Sequence, residues 1–268
     1  MTNADLGALA PIVARKLREA ETLRCASAAL WSKAEQLPPA RPMDTALRGG
    51  AVIAELKRRS PSGGTLRHDL DCVAVAHDYE IAGAAAISVL TDSIDFGGSL
   101  DDLAAVREAV ALPVLRKDFV VDPVQVAESR VAGADWVLLI VAVLTGTLLE
   151  GCLEAVGRAR AHAVVEVHDA AEAARAVAAG AECVGINNRD LRTLTTDVSI
   201  FARVRGHIPS GVLCIAESGV RDTDDAARLI ADGADAVLVG EALMRARSPR
   251  EACAAVVAAA RSAAAARR

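Results

Sequence analysis

The chain has 268 residues, 53% of them hydrophobic and 24% charged, with a formal net charge of −5. That balance excludes a disordered chain, and the scattering of Lys and Arg excludes a polyanion-binding face, so no nucleic-acid partner is expected. The longest strongly apolar run, around Trp136 to Leu144, is too short to cross a bilayer, so no membrane partner is expected.

In chain order, residues 1–48 form an N-terminal helical extension. LREAETLRCASAALW, from Leu17, reads as an amphipathic helix, and Pro38-Pro39 and Pro42 then break the chain. Two roles fit this extension equally: a cap on the floor of the domain built by residues 49–268, or a lid at its mouth. Residues 49–268 alternate strands and helices. AVIAEL (51–56) is a strand, and the turn Ser60-Pro61-Ser62-Gly63-Gly64 comes after it. A helix over Val73–Ile81 leads into AGAAAISVL from Ala82. A helix over Leu103–Ala109 leads into the strand ALPVL (111–115), and one over Val124–Ala132 into AGADWVLLI. Leu148–Ala159 precedes AVVEV (163–167), and Ala170–Ala179 precedes AGAECVGIN. Ser199–Arg205 precedes VLCIAE (212–217), and Asp224–Ala231 precedes DGADAVLVG from Asp232. The terminal AAAARR reads as a frayed helix end.

Four of these segments repeat one design, a Gly-Ala pair followed by a β-prone run. Their glycines, Gly83, Gly133, Gly180 and Gly233, are spaced by 50, 47 and 53 residues. Glycine suits the left-handed residue that ends a helix, and a short apolar run suits a strand buried on both faces. About fifty residues accommodate two strand–helix pairs, which gives eight strands. The expected fold is a (β/α)8 barrel in a single domain. A doubly wound open sheet is the alternative, but no G-x-G-x-x-G follows the first strand.

Barrels of this kind carry their chemistry at the C-terminal strand ends. Those ends read Glu55-Leu56-Lys57, Thr91-Asp92, Arg116-Lys117-Asp118, Glu166-Val167-His168-Asp169, Asn187-Asn188-Arg189-Asp190, Glu217-Ser218-Gly219 and Gly240-Glu241. Alternation puts Glu55 and Lys57 on the inward face, so two lysines and three glutamates are expected to meet at one mouth. Any one of them alone reads best as a structural ion pair. Together at successive strand ends they read as an acid–base site. Ser218-Gly219 and Gly240, after the seventh and eighth strands, suit a phosphate held by backbone N–H groups. The six cysteines make no C-x-x-C and have no histidine at metal-ligand spacing, so no metal is expected and a reducing, cytoplasmic location is.

Six stretches in this order resemble the indole-3-glycerol phosphate synthase family over residues 50 to 245. They are IAELKRRSPSGG (53–64), ISVLTDSIDFGGSLDDL (87–103), PVLRKDFVVDPVQVAESRVAGADWVLLIV (113–141), VEVHD (165–169), VGINNRDLRTL (184–194) and IAESGVRDTDDAARLIADGADAVLVGEALM (215–244). The resemblance implies ring closure of 1-(2-carboxyphenylamino)-1-deoxyribulose 5-phosphate, with loss of carbon dioxide and water. It implies no cofactor. It gives Lys117 as general acid, Glu166 as acid–base carboxylate, and Lys57 as second acid or partner of the substrate carboxylate. Glu55 and Asn187 hold these groups and the substrate hydroxyls, and Glu217 and Ser218 line the same face. Phe96, Phe119, Leu138 and Leu191 pack the anthranilate ring, with ordinary core an equal reading for Leu138. Ser60, Arg189, Gly219 and Gly240 take the phosphate. The partner is thus a small phosphorylated molecule. A monomer is the working expectation, and the sequence carries no signal for docking to other enzymes of the pathway. The chain departs from the family at Gly63, where lysine is common, and at Glu241, whose carboxylate is expected to point away from the phosphate. A sister barrel, phosphoribosylanthranilate isomerase, would need a cysteine at the end of the first strand, where Glu55 and Lys57 stand. A barrel that only binds its ligand is the other competitor, and the intact set Lys57, Lys117 and Glu166 speaks against it.

Overall fold

A computed structural model describes residues 3–61, 63–190, 193 and 195–267. Eight parallel strands close into a barrel: β1 (Ala51–Leu56), β2 (Ala86–Leu90), β3 (Val114–Lys117), β4 (Trp136–Ile140), β5 (His162–Val167), β6 (Cys183–Asn187), β7 (Leu213–Glu217) and β8 (Ala236–Val239). Each strand pairs with its sequence neighbours, and β1 closes on β8 through Ala51↔Ala236 to Ala54↔Val239. A short antiparallel pair, Arg59–Ser60 with Gly64–Thr65, comes after β1.

The Gly-Ala repeat is the hydrogen-bonded end of four helices. Gly83, Gly133, Gly180 and Gly233 all have positive φ, from 87° to 110°. In each, the glycine N–H and the alanine N–H reach back to the last turn, as in Gly83 to Glu80 O (3.0 Å) and Ala84 to Tyr79 O (3.0 Å). This closes the orphan carbonyls and drops the chain directly into the next strand. Helices α3 (Cys72–Ile81), α5 (Pro123–Val131), α7 (Ala170–Ala178) and α9 (Thr223–Ala231) end this way.

The helices expected from Leu148, Ala170 and Ser199 start at those residues, whereas α3, α5, α9 and the helix expected from Leu103 start one to three residues earlier. Asp71, Asp122, Asp169 and Asp222 cap α3, α5, α7 and α9, and Ser99 caps α4 (Leu100–Ala109). A capping side chain starts a helix before the apolar stripe begins. The third strand also differs from the expected 111–115. It begins after Pro113, which has no N–H to give, and runs on into Arg116 and Lys117. Helices α6 (Leu148–Arg158) and α8 (Ser199–Arg205) come after β4 and β6. Helices α10 (Glu241–Arg245) and α11 (Pro249–Ala266) come after β8, and α11 packs on α9, α3 and β1.

The core has two layers. Val52, Ala54, Leu56, Val89 and Val165 face the helices. Ile53, Leu115, Trp136, Leu138, Val164, Ile215 and Leu238 fill the barrel interior. The period of two that separates these sets also aims the polar strand ends.

Residues 10–48 do both things the sequence allowed. Helix α1 (Ala10–Arg24) lies across the mouth, with Leu9 and Ile12 lining the cavity there. Helix α2 (Ser27–Ala34) descends beside α5, where Arg158 lies over the Trp31 ring at 4.0 Å. The chain then reaches the floor, where the Arg41 N–H donates to Asp135 and its carbonyl accepts from Trp136 Nε1. Met43 and Leu47 are buried with the interior layer.

Candidate active site

Above the interior layer opens a cavity of about 680 Å³. Glu55, Lys57, Lys117, Glu166, Asn187, Glu217 and Ser218 all line it. Alternation is the cause: Ile53, Leu115, Val164 and Ile215 fill the barrel, and the next inward residues are these polar ones. Lys117 Nζ sits at the centre, 2.9 Å from Glu166 Oε2 and 3.1 Å from Glu217 Oε2. Lys57 Nζ is 2.7 Å from Glu55 Oε1. Asn187 Nδ2 donates to Glu166 Oε1 at 3.1 Å, and its Oδ1 accepts from the Arg189 N–H.

These groups are buried, so their charges act through little water. Burial opposes the Lys117 charge, but Glu166, Glu217 and Glu55 outweigh it and hold the ammonium above the ordinary lysine range. Burial also opposes the Glu166 charge, but Lys117 and then His168 hold its carboxylate well below the usual range. Burial and the Glu166 charge push Glu217 the other way, against the pull of Lys117. One ammonium thus keeps one of its two neighbouring carboxylates ionised while the other is driven toward its protonated form.

Glu217 fits because position 185 is glycine, and any Cβ there would strike its carboxylate. Gly240 leaves similar room for Glu55. Gly185→Ala is expected to cost about 1–3 kcal/mol by overpacking and to displace Glu217 from Lys117. The check is a thermal melt beside a turnover assay, in which activity falls further than the shift in Tm explains.

Lys117 has neighbours with other duties. Arg116 faces out of the barrel and is fully occupied, by Thr91 (3.1 Å), Glu128 (2.8 Å), Ser129 (3.0 Å) and Asp118 (3.0 Å). Asp118 also takes Lys16 of α1 at 2.9 Å, and Lys16 and Arg15 both reach the buried Asp92. The lid is therefore fastened to the residue beside the central lysine.

One wall of the cavity is apolar. Phe96 and Phe119 meet with ring centroids 6.1 Å apart, and Leu138, Ile140, Leu9 and Ile12 join them. Leu138 belongs to the interior layer and to this wall at once. Leu191 lies outside the described residues. The other end is cationic and glycine-rich, with Arg189, Gly219 and Gly240 on its lining. Gly219 has φ of 85° and Ser218 of 62°, a turn that presents backbone to the cavity. Ser60 departs from expectation. It is buried beneath the hairpin, where its Oγ accepts from the Gly63 N–H at 3.0 Å, and Pro61 lines the cavity instead. Glu241 departs too. It lines the cavity rather than turning away, held by Arg245 at 2.9 Å, with Arg189 at 3.9 Å. Arg245 in turn donates to Gly63 O at 2.8 Å, and both Arg245 and Arg221 line this end. Neither arginine is expected here from sequence, although each stands within a few residues of a glycine that is. The sequence pattern also gives no role to His168, although it stands two residues after Glu166 and reaches the same carboxylate.

The family model described as "Indole-3-glycerol phosphate synthase" matches residues 9–256. A protein of that name from Parafrankia sp. (strain EAN1pec) is 53% identical over 237 residues, covering 88% of this chain and 87% of that protein. Another from Beutenbergia cavernae is 54% identical, covering 78% of this chain and 77% of its own. One from Mycolicibacterium vanbaalenii is 51% identical, covering 84% of each. Among solved structures, thiamine phosphate pyrophosphorylase from Pyrococcus furiosus superposes with a TM-score of 0.62 at 16% identity, covering 81% of this chain and 98% of that one. That likeness speaks for the barrel alone.

Proposed function

The chain belongs to the indole-3-glycerol phosphate synthase family, and from that premise we propose that it closes the pyrrole ring of 1-(2-carboxyphenylamino)-1-deoxyribulose 5-phosphate. The products are indole-3-glycerol phosphate, carbon dioxide and water. The observation that carries this reading is Lys117, held between Glu166 and Glu217 with an apolar wall on one side and a cationic end on the other. The anthranilate ring suits the wall of Phe96, Phe119 and Leu138, and the phosphate suits the end with Arg189, Gly219 and Gly240.

The chemistry dictates the proton steps. The ketone must become electrophilic, so Lys117 gives its proton to the ketone oxygen as the ring carbon attacks. Loss of carbon dioxide restores the aromatic ring. The new hydroxyl must leave as water, and Lys57, poised by Glu55, supplies the second proton. Glu166, fixed by Asn187, takes the proton from the pyrrole carbon. Glu217 and Ser218 bound the face on which these transfers happen. Folding the substrate so that its ring carbon meets its own ketone is the remaining contribution.

The test is turnover of that substrate, tracked by the rise of indole fluorescence. A folded chain that leaves the substrate untouched would overturn the proposal. Arg189→Ala is expected to raise KM by about tenfold or more while leaving kcat within a few-fold, since a bidentate phosphate contact binds ground and transition states alike. Inorganic phosphate as a competitor reads the same loss directly.

A further inference from the structure

The proposed reaction consumes a proton on every turnover. The substrate carboxylate enters ionised at neutral pH and leaves as neutral carbon dioxide. Two protons go to oxygen, one on the ketone and one on the departing hydroxyl, and one comes off the ring. The difference must come from solvent. With substrate seated beneath α1, the mouth is occupied, and Lys117 and Glu166 stay buried below it.

A second approach exists from the side. His168 stands two residues after Glu166 and so shares its direction. Its Nε2 lies 3.4 Å from Glu166 Oε1. Its Nδ1 lies 3.0 Å from Glu172 Oε2, which also accepts from the His168 N–H at 2.8 Å. Glu172 stands in the first turn of α7, behind the Asp169 cap. His168 does not line the main cavity. It lines a separate one of about 260 Å³, together with Asp169, Arg203 and His207. The imidazole is therefore a partition between the two cavities. Its Nε2 is buried and makes no hydrogen bond among the described residues, although Glu166 stands beside it.

We propose that His168 is a positioning and proton-carrying residue, which passes protons from the second cavity to Glu166 and through it to Lys117. This rests on the function proposed above. The successive gaps are 3.0 Å from Glu172 to His168, 3.4 Å to Glu166 and 2.9 Å to Lys117. In the resting site burial opposes the imidazolium, but Glu166 and Glu172 outweigh it and hold the ring up to about 10, so it is charged. Once Lys117 has spent its proton, the main charge that held Glu166 ionised is gone. The Nε2–H bond then breaks and a Glu166 Oε1–H bond forms. The carboxyl group turns to bring that proton from Oε1 to the bare amine of Lys117, which rests against Oε2. Ionised again, Glu166 takes the proton from the pyrrole carbon, and that proton returns to Lys57 through the main cavity as product leaves. The neutral ring turns toward the second cavity and is reprotonated by its water, with Glu172 attracting the incoming charge. Asn187, which donates to Oε1 in the resting site, releases it for the turn of the carboxyl group and takes it back afterwards, and Arg203 and His207 are the other basic groups that face the second cavity.

The experiment compares the wild type with His168→Asn and Glu172→Gln in the fluorescence assay, with Tm as the control for folding. His168→Asn is expected to lower kcat on the order of tenfold to a hundredfold, with KM within twofold, because the loss is in proton delivery. Added imidazole, small enough for the second cavity, is expected to restore kcat with saturation. Glu172→Gln keeps the ring and is expected to enlarge the solvent deuterium isotope effect on kcat. If His168→Asn fails to fold, Glu172→Gln decides alone, and an unchanged isotope effect overturns the proposal. A kcat within twofold of wild type in His168→Asn overturns it as well. So does a loss that imidazole cannot restore, which would mark a structural role. Silence from the wild type would instead overturn the function proposed above.

Discussion

Lys117→Ala is expected to abolish turnover, with kcat down on the order of 10⁴-fold, the upper end of what one proton-transfer group contributes. The large effect comes from the double duty of this ammonium. It is the proposed acid, and it is also the charge that sets Glu166 and Glu217 apart. Without it, two buried carboxylates face each other and take up a proton, so the base is lost with the acid. Affinity for the product is expected to stay within a few-fold, because the apolar wall and the cationic end are untouched. Lys117→Arg is expected to fail as well, since a planar guanidinium cannot occupy the place of a point charge between two carboxylates. Stopped turnover with retained product binding is the result that supports the assignment. Near-normal turnover in Lys117→Ala would remove the mechanism and leave the fold.

Asp118→Asn is expected to be the most damaging change to stability near the site. It removes one carboxylate from each of Arg116 and Lys16, so that Arg116 keeps only Glu128, and Lys16 only Asp92 and Glu19. Breaking a buried pair outright costs about 3–5 kcal/mol, and the carboxylates that remain put this change at the low end of that range. At roughly 2–4 °C per kcal/mol for a chain of this size, Tm falls by on the order of 10 °C. Lys16 carries the lid, so KM rises too. The pH dependence has a definite sign. Burial opposes the Asp118 charge, but Arg116 and Lys16 outweigh it and hold the folded carboxyl far below the value of about 3.9 in an unfolded chain. Its contribution is therefore complete above about pH 4 and is lost as pH falls toward the folded value. Denaturant unfolding of both proteins is expected to show a gap that is constant near neutrality and shrinks below about pH 4. A gap that persists there would show that Asp118 acts through packing alone.

The barrel is legible in the sequence because its signals are local. A glycine that ends a helix and an alanine that opens the descent to the next strand form one short hydrogen-bonded unit, and four copies set the period. The starts of α3, α4, α5 and α9 are less legible, because a single Asp or Ser cap fixes them where no apolar stripe yet exists. The polar lining of the cavity is legible through strand alternation, which aims Glu55, Lys57, Lys117, Glu166 and Glu217 inward from sequence alone. What lies beyond the sequence is tertiary. Arg116 and Asp118 look like Lys117 in a row of charges, and only their partners on α5 and α1 tell them apart. Ser60 differs from expectation because its hydroxyl serves its own hairpin, and Glu241 because Arg245, four residues on, draws it over the cavity. The two roles of residues 10–48 look like alternatives, and the chain is long enough to fill both.

The double role of residues 10–48 bears on how such a barrel can be reused. Loops at one end of a barrel ordinarily vary without disturbing the other, which makes the fold a modular platform. Here a single strap covers the reactive end through Ile12 and Lys16 and plugs the opposite end through Met43 and Leu47. The two ends are inherited as one part. A new chemistry grafted onto this scaffold must either keep a mouth that suits the old strap or supply a fresh plug for the floor.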